Sequence, residues 1–190
     1  MSSPRSRPVD LGTKRSELLK AIGPEVFSAA VLRNPGNKSN ELQFESIKTT
    51  AEALKMRLQP VSVRGPNDVE IAFQVATREQ TGTLMVLDDP VIYGQRAQIA
   101  ALAVKNRLPS AGGLTGFAEA GGLMSYGTNL PEHFRQAANY VDRVLKGANP
   151  ADLPVEQPTK FELVINLRTA KAFGLTMPQS IMLRADRVIE

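Results

Sequence analysis

Short apolar segments alternate with helical segments through most of this 190-residue sequence, and this alternation restricts the fold more than any other feature. The predicted strands are residues 29–32, 59–63, 83–87 and 108–111, and the predicted helices are residues 13–22, 39–58, 65–80 and 94–106. Nearly continuous apolar strands are typical of a parallel sheet that is buried on both faces. Helical connections between such strands are right-handed crossovers. The sequence therefore predicts an α/β fold with a doubly wound parallel sheet.

Polar and glycine residues follow the predicted strands. Because parallel strands end at the same edge of a sheet, their following loops form one surface, and open α/β sheets bind ligands there. The candidate ligand-binding residues on this surface are Asn34, Asn37, Asp88, Asp89, Gly112, Gly113 and Tyr126.

The alternation changes after residue 112. A short turn or helix is predicted at residues 117–120, a fifth strand at 123–126, and a long helix at 131–145 after a cap at Asn129 or Leu130. A proline-rich connector, residues 148–158, leads to a strand at 161–165. Asn166 then caps a helix over residues 168–173, and Gly174 ends that helix in a left-handed conformation. The apolar face of the 131–145 helix comprises Phe134, Ala137, Ala138, Val141, Val144 and Leu145.

Composition argues against several kinds of chemistry. The chain has no cysteine and a single histidine, His133, so thiolate catalysis, disulfides and a histidine–cysteine metal site are excluded. We predict no cofactor, no metal and no catalytic residue. The net charge of +4 is spread among 19 acidic residues, which argues against nucleic-acid binding. The polar start, MSSPRSRP, is predicted to belong to a disordered lead over residues 1–10, and it carries no visible export signal.

Asp88 and Asp89 also permit a different interpretation. An acidic pair after a strand binds Mg²⁺ in receiver-like domains, so a stand-alone receiver- or flavodoxin-like domain with a phosphoryl or regulatory role is the main alternative. Receiver domains usually carry an acidic pair after the first strand, where this chain has Arg33 and Asn34. Neither a GxxxxGK[ST] nor a GxGxxG motif is present.

Three longer stretches give the sequence its most specific signal. They read VDLGTKRSELLKAIGPEV, AAVLRNPGN and EAGGLMSYGTNLPEHFRQAANYVDRVLKGANPADLPVEQPTKFELVINLRTAKAFGLTMP. These stretches resemble a family of bacterial ABC-transporter substrate-binding proteins of the tryptophan/tyrosine-type uptake systems. The resemblance implies a type I periplasmic binding protein-like fold, in which two Rossmann-like lobes enclose a small solute. It also implies an ABC permease as partner and a periplasmic location for the full-length parent. An effector domain of a transcription regulator has the same fold and is a second alternative.

The resemblance also predicts the domain organisation. The chain is expected to lack most of the first lobe, with the second lobe at 11–126, a crossover helix and connector at 127–158, and a return strand with C-terminal helices at 159–190. The 131–145 helix would pack on the first lobe, so here it is expected to fold back on its own sheet or to pair with a second copy in a homodimer. Half a cleft is also expected to bind solute weakly.

Two positions depart from the pattern of the relatives. The residue before Asn34 is often aromatic in them and is Arg33 here, and after Leu108 and Pro109 the chain has Ser110–Gly113 instead of an apolar residue and a tyrosine. These changes favour a bulkier or more acidic solute over an aromatic amino acid. Arg33 joins the candidate ligand-binding residues because its guanidinium would pair with a carboxylate.

Overall fold

The computed structural model describes residues 8–23, 27–154 and 161–190, with residues 8–10 described by their backbone alone. Its strands form a single 7-stranded sheet in the order β2-β1-β3-β4-β5-β6-β7. The strands are β1 (Ser28–Arg33), β2 (Arg57–Ser62), β3 (Thr83–Val86), β4 (Ser110–Gly112), β5 (Met124–Thr128), β6 (Phe161–Asn166) and β7 (Arg187–Ile189). The pairs from β2 to β5 are parallel, β6 is antiparallel to β5, and β7 is parallel to β6. The predicted doubly wound α/β fold is confirmed.

Helices cover both faces of the sheet. Those within the described residues are α1 (Pro8–Ile22), α2 (Lys38–Ala53), α3 (Asp68–Arg78), α4 (Pro90–Gly94), α5 (Arg96–Lys105), α6 (Gly116–Glu119), α7 (Leu130–Leu145), α8 (Leu167–Phe173) and α9 (Gln179–Met182), with a 3-10 helix at Pro150–Asp152. In the described part of the chain, none of them is both long enough and apolar enough to cross a lipid bilayer.

The alternation of side chains along β1 divides the core into two layers. Leu32 points into a layer that α3 and α5 complete with residues such as Phe73 and Ile99. Val31 points the other way, into a layer that contains Leu18 of α1 and Ile47 of α2. Because both faces are buried, the central strands β1 and β3 read as continuous apolar runs rather than as alternating ones.

The N-terminal boundaries differ from the prediction. The first helix begins at Pro8 rather than at residue 13, so residues 8–10 are helical and do not belong to a disordered lead. Residues 1–7 lie outside the described residues. A proline is well suited to the first turn of a helix, where its missing N–H group leaves no hydrogen bond unmade.

The second helix is shorter than predicted. It ends at Ala53, and Leu58, which the periodicity placed on its inner face, lies in β2 instead. Lys55 has a φ of 53°, a left-handed conformation that ends the helix. Because glycine usually occupies such a position, the sequence carries no clear signal for this end. The helix predicted over residues 94–106 is α5, and the separate short helix α4, which was not predicted, precedes it.

The helical periodicity of residues 65–80 and 94–106 predicts that Ile71, Ala97 and Ala101 point inward, and all three are exposed. Ile71 of α3 is 57% exposed, and Ala97 and Ala101 of α5 face solvent. Ile99 and Ala103 are buried in their place. In α5, which begins at Arg96, alanines occur on several sides of the helix. The sequence pattern therefore does not define which side faces the core.

The C-terminal segment follows the prediction in part. Asn166 caps α8 by accepting a hydrogen bond from the Thr169 backbone N–H (3.1 Å), and Gly174 has a φ of 70°. The strand β7 was not predicted, because its three residues, Arg187–Ile189, carry too little periodicity to identify.

Three helix–strand connections use the same turn. Lys55, Gln80 and Arg107 adopt positive φ values of 53°, 50° and 55°. In each turn the next N–H donates to a carbonyl five residues back, as from Leu108 to Ala103 (2.9 Å). This is the hydrogen bond of a Schellman motif, whose left-handed position normally carries glycine.

We expect Arg107→Gly to stabilise the protein by about 0.5–1 kcal/mol, because glycine adopts the left-handed conformation without the steric penalty of a Cβ atom. Urea unfolding followed by circular dichroism would measure the change. Arg107→Ala is the matched control: it keeps the Cβ atom and should bring no gain. Equal stabilisation by both substitutions would show that the side chain, not the backbone, carries the strain.

Candidate functional site

The loops after β1 and β3 are joined by a buried carboxylate. Asp89 Oδ2 accepts hydrogen bonds from Asn34 Nδ2 (3.1 Å) and Asn37 Nδ2 (2.8 Å). Its Oδ1 accepts from the backbone N–H groups of Val91 (2.9 Å) and Ile92 (3.1 Å), so Asp89 also caps α4. Both carboxylate oxygens are therefore occupied by protein donors, and the two loops are held in fixed positions.

Asn40 extends this connection on the buried side. Its Nδ2 donates to the Asp88 carbonyl oxygen (2.9 Å), and its Oδ1 accepts from the Asn34 backbone N–H (2.9 Å). The side chain is fully buried. A buried amide satisfied by two strand-end loops fixes their separation, since loss of either partner would leave a polar group without a hydrogen bond.

Arg15 of α1 connects β3 and β5 at the same edge. Its Nη2 donates to Asp88 Oδ2 (2.7 Å), and its Nε donates to the Tyr126 carbonyl oxygen (3.0 Å). The Arg15 side chain has no exposed surface, whereas that of Asp88 is 29% exposed. Arg15 Nη1 is buried and has no hydrogen-bond partner among the described residues. A largely buried ion pair is thus formed by a helix that lies on the outside of the sheet.

Gly113 makes this packing possible. A Cβ atom built on it would lie 1.8 Å from Asp88 Oδ1 and 2.4 Å from Arg15 Nη2. Gly127 is equally confined, because its Cβ atom would lie 1.5 Å from the Gly113 carbonyl oxygen. The glycines therefore allow β4, β5 and the ion pair to approach each other more closely than any side chain would permit.

The remaining candidates border this network. Gly112 packs against Phe117, which lies 2.7 Å from the position of its absent Cβ atom. Tyr126 contributes its carbonyl oxygen to Arg15, and its ring lies 6.4 Å from that of Phe161, centroid to centroid. A cavity of about 10 Å³, roughly the space of one water molecule, is lined by Asp88, Asp89, Gly112 and Gly113 together with neighbouring side chains.

Arg33 takes no part in the hydrogen bonds of this network. It is the last residue of β1, and its Cζ atom lies 5.1 Å from the centroid of the Phe44 ring. Its Nε is buried and makes no hydrogen bond with any described residue.

The structure thus brings six of the eight candidates into direct hydrogen-bonded or steric contact, with Gly112 and Arg33 at the border. Sequence reasoning missed Arg15 and Asn40. Both carry a recognisable signal: Arg15 shares the inner face of α1 with Leu11, Leu18 and Ile22, and Asn40 begins the buried row of α2 that contains Ile47. A polar residue on an apolar helix face is the pattern to examine.

The alternative role of Asp88 and Asp89 in phosphoryl chemistry gains no support from the geometry. The Asp89 carboxylate accepts four hydrogen bonds from protein donors, and the Asp88 carboxylate forms an ion pair with Arg15. Among the described residues no group of three or more histidine, cysteine, aspartate or glutamate side chains is placed to hold a metal ion.

A second surface feature lies on α7, which is wholly within the described residues and buries none of its side chains. Phe134 is 69% and Leu145 is 81% exposed. The expectation that this helix folds back on its own sheet is therefore wrong. The first turn of α7 is held by Asn129. The Asn129 Oδ1 atom accepts a hydrogen bond from the Glu132 backbone N–H (3.2 Å), and its Nδ2 atom donates to both Glu162 carboxylate oxygens (3.1 and 3.2 Å).

An open groove of about 600 Å³ runs along the same helix and the segment that follows it. His133 and Tyr140 line it together with Pro154, and Tyr140 donates a hydrogen bond from its hydroxyl to the Pro154 carbonyl oxygen (2.7 Å). The groove is bordered by the apolar face of α7, so it is a packing surface rather than an enclosed cavity.

A mostly parallel sheet, helices on both faces and a polar carboxyl edge define a type I periplasmic binding protein-like fold, which agrees with the solved structures similar to this chain. The profile of the family "ABC transporter substrate binding protein" matches residues 9–189, and the chain belongs to that family. Members of the family bind small solutes and work with permeases, outside the cytoplasm in the periplasm or extracellular space.

Individual relatives agree with this assignment. A conserved domain protein from Vibrio cholerae is 28% identical with a TM-score of 0.82, over 93% of this chain and 60% of that one. An ABC domain from Streptococcus pneumoniae in complex with L-Trp is 26% identical with a TM-score of 0.82, over 94% and 62%. A tyrosine-binding protein from Clostridioides difficile (strain R20291) is 22% identical over 85% of this chain and 47% of its own length. The chain thus spans about half to three fifths of the length of these relatives.

We expect Gly113→Ala to destabilise the protein by about 1–3 kcal/mol, because the added methyl group must displace the Asp88 carboxylate and the Arg15 guanidinium. Chemical unfolding would measure it. Gly94→Ala is the matched control: it adds the same methyl group to a helix with no described atom within 4 Å, and should leave stability equal or slightly higher. Equal effects at both positions would contradict the close packing around Gly113.

Proposed function

We propose that this chain provides a solute-contacting lobe of the binding protein of an ABC importer, with the carboxyl edge of the sheet as the contact surface. The observation that supports this most strongly is the network of Asp89, Asn40 and Arg15, which joins the loops after β1 and β3 to each other and to strand β5. A binding lobe needs such preorganisation, since ordering loops on binding would reduce affinity.

The proposed solute class is an amino acid or a related organic acid. The complex of the Streptococcus relative with L-Trp and the name of the tyrosine-binding relative support this class. The protein would present backbone groups and fixed polar side chains, and it would act without catalysis. In this proposal residues 11–126 and 159–190 form the lobe, and residues 127–158 cross toward a second lobe.

The proposal includes a periplasmic location for the full-length parent and an ABC permease as its partner. The family's association with importers supports both. Asn34, Asn37, Gly113 and Tyr126 are the proposed contact positions, since they border the edge where the strands end.

Solute binding is testable by two-dimensional NMR on the ¹⁵N-labelled chain. Addition of L-tryptophan or L-tyrosine should shift the backbone amides of Asn34 and Gly113, with affinity about a thousandfold below that of a two-lobed receptor, or about 4 kcal/mol, because one face of the solute stays in water. The amide of Asn149, which caps the distant 3-10 helix, serves as the internal control. Shifts confined to α7, or none at the edge, would contradict the proposal.

We also propose that α7 pairs with a second copy of the chain when no other lobe covers it. Glu132 lies in its first turn and Arg143 in its last. Antiparallel pairing would place opposite charges together while burying the apolar faces. Burying three or four of these side chains is worth roughly 5–8 kcal/mol, enough to favour a homodimer.

Light scattering during size-exclusion chromatography should detect this dimer. Val141→Asp should convert it to a monomer, because a charge would enter the paired face, and it should leave the fold intact because α7 buries no side chain. Ile71→Asp is the control, since Ile71 is equally exposed at 57% but lies on α3. A wild-type monomer at about 100 μM would overturn the pairing, since a dimer dissociation constant above that concentration corresponds to less than about 5.5 kcal/mol.

A further inference from the structure

Arg33 is a cation whose charge has no protein partner in the described part of the chain. It ends β1 and is half-buried, its guanidinium is held over the Phe44 ring at 5.1 Å, and its Nε is buried without a hydrogen bond among the described residues. The ion pairs of the described residues do not include it. Buried guanidinium donors are almost always paired.

The carboxylates at the carboxyl edge of the sheet are already engaged. Asp89 accepts four hydrogen bonds from asparagine side chains and backbone N–H groups, and Asp88 is paired with Arg15. Lys48 shares the Phe44 ring at 5.1 Å, but Glu45 neutralises it at 2.6 Å. Arg33 is thus the cation at this ring that no acidic group of the described residues balances.

Arg33 lies at the same edge as the hydrogen-bonded network. Leu32 pairs with Val86 across β1 and β3, and the Leu87 N–H donates to the Leu32 carbonyl oxygen (3.1 Å). Arg33 therefore lies opposite Leu87, one residue before the level of Asp88, on the neighbouring strand. The ring of Phe44 fixes the guanidinium at this position by a cation–π contact, which limits the orientational freedom that a ligand would otherwise have to restrict.

We propose that Arg33 binds an acidic group of the solute, so that the preferred solutes are organic acids with a net negative charge, such as acidic amino acids or dicarboxylates. This inference rests on the proposed solute-binding function. A guanidinium matches the two oxygens of a carboxylate with parallel hydrogen bonds, and a solute acid would balance a charge that no acidic group of the described residues balances. A neutral amide of the same shape offers one acceptor oxygen and no charge, so it would bind less well.

L-Glutamate and L-glutamine are suitable probes, because they have the same shape and differ in charge. The Nε–H resonance of Arg33 is observable in ¹H–¹⁵N spectra, and it is assigned by its disappearance in Arg33→Lys. We expect L-glutamate to shift this resonance and to bind about tenfold more tightly than L-glutamine. In Arg33→Gln the ratio of the two affinities should fall to about one.

Arg64→Gln is the matched control, since Arg64 is an exposed arginine in the loop after β2 and should keep the preference. Arg33→Lys retains the charge without the planar guanidinium group, so its preference for L-glutamate over L-glutamine should lie between those of the wild type and Arg33→Gln. This variant keeps the test informative if Arg33→Gln fails to fold. Edge shifts with equal affinity for both probes overturn the role of Arg33 and leave the proposed function standing. No edge shift with either probe or with L-tryptophan overturns both.

Discussion

The guanidinium of Arg15 is the interaction on which the carboxyl edge depends. It reaches from α1 through the layer of helices to Asp88 and to the Tyr126 carbonyl oxygen, and so links the loop after β3 with β5 across the intervening strand β4. A charge without exposed surface is stable only when it is paired, and here the pairing partners belong to elements far apart in the sequence. Gly113 must be small because this ion pair lies against it, and Gly127 must be small because the Gly113 carbonyl group lies against it.

The asparagine side chains perform the corresponding function between β1 and β3. Asn40 hydrogen-bonds to backbone groups of both loops, and the Asp89 side chain accepts hydrogen bonds from the asparagine side chains of the loop after β1. Most polar side chains of the edge are therefore engaged with protein groups. Polar residues at a strand-end edge are usually taken as ligand contacts. In this chain several of them also hold the strand-end loops in position through hydrogen bonds to other protein groups. In our proposal the solute contacts these positions and Arg33.

The fold was predictable from the sequence because its strands are short, apolar and separated by helices of ordinary length. The boundaries were less predictable wherever a residue other than glycine ends a helix, as Lys55 does, or where small residues blur the periodicity, as around Ala97. The edge residues were predictable as a set because parallel strands end together. Their partners were not, since Arg15 lies in another helix and its contact with Asp88 spans 73 positions. Only the presence of a charge on an apolar helix face signals such a contact.

The hydrogen bonds from Asn129 to Glu162 give α7 a defined base. The Asn129 amide joins the start of the helix to β6 directly after the end of β5. The helix is therefore attached to the sheet at its first turn, and its remaining length is exposed. A body packed on the exposed length of α7 would therefore be attached to the sheet through the Asn129–Glu162 contact and through β5, the strand that also carries the Tyr126 carbonyl oxygen to which Arg15 donates.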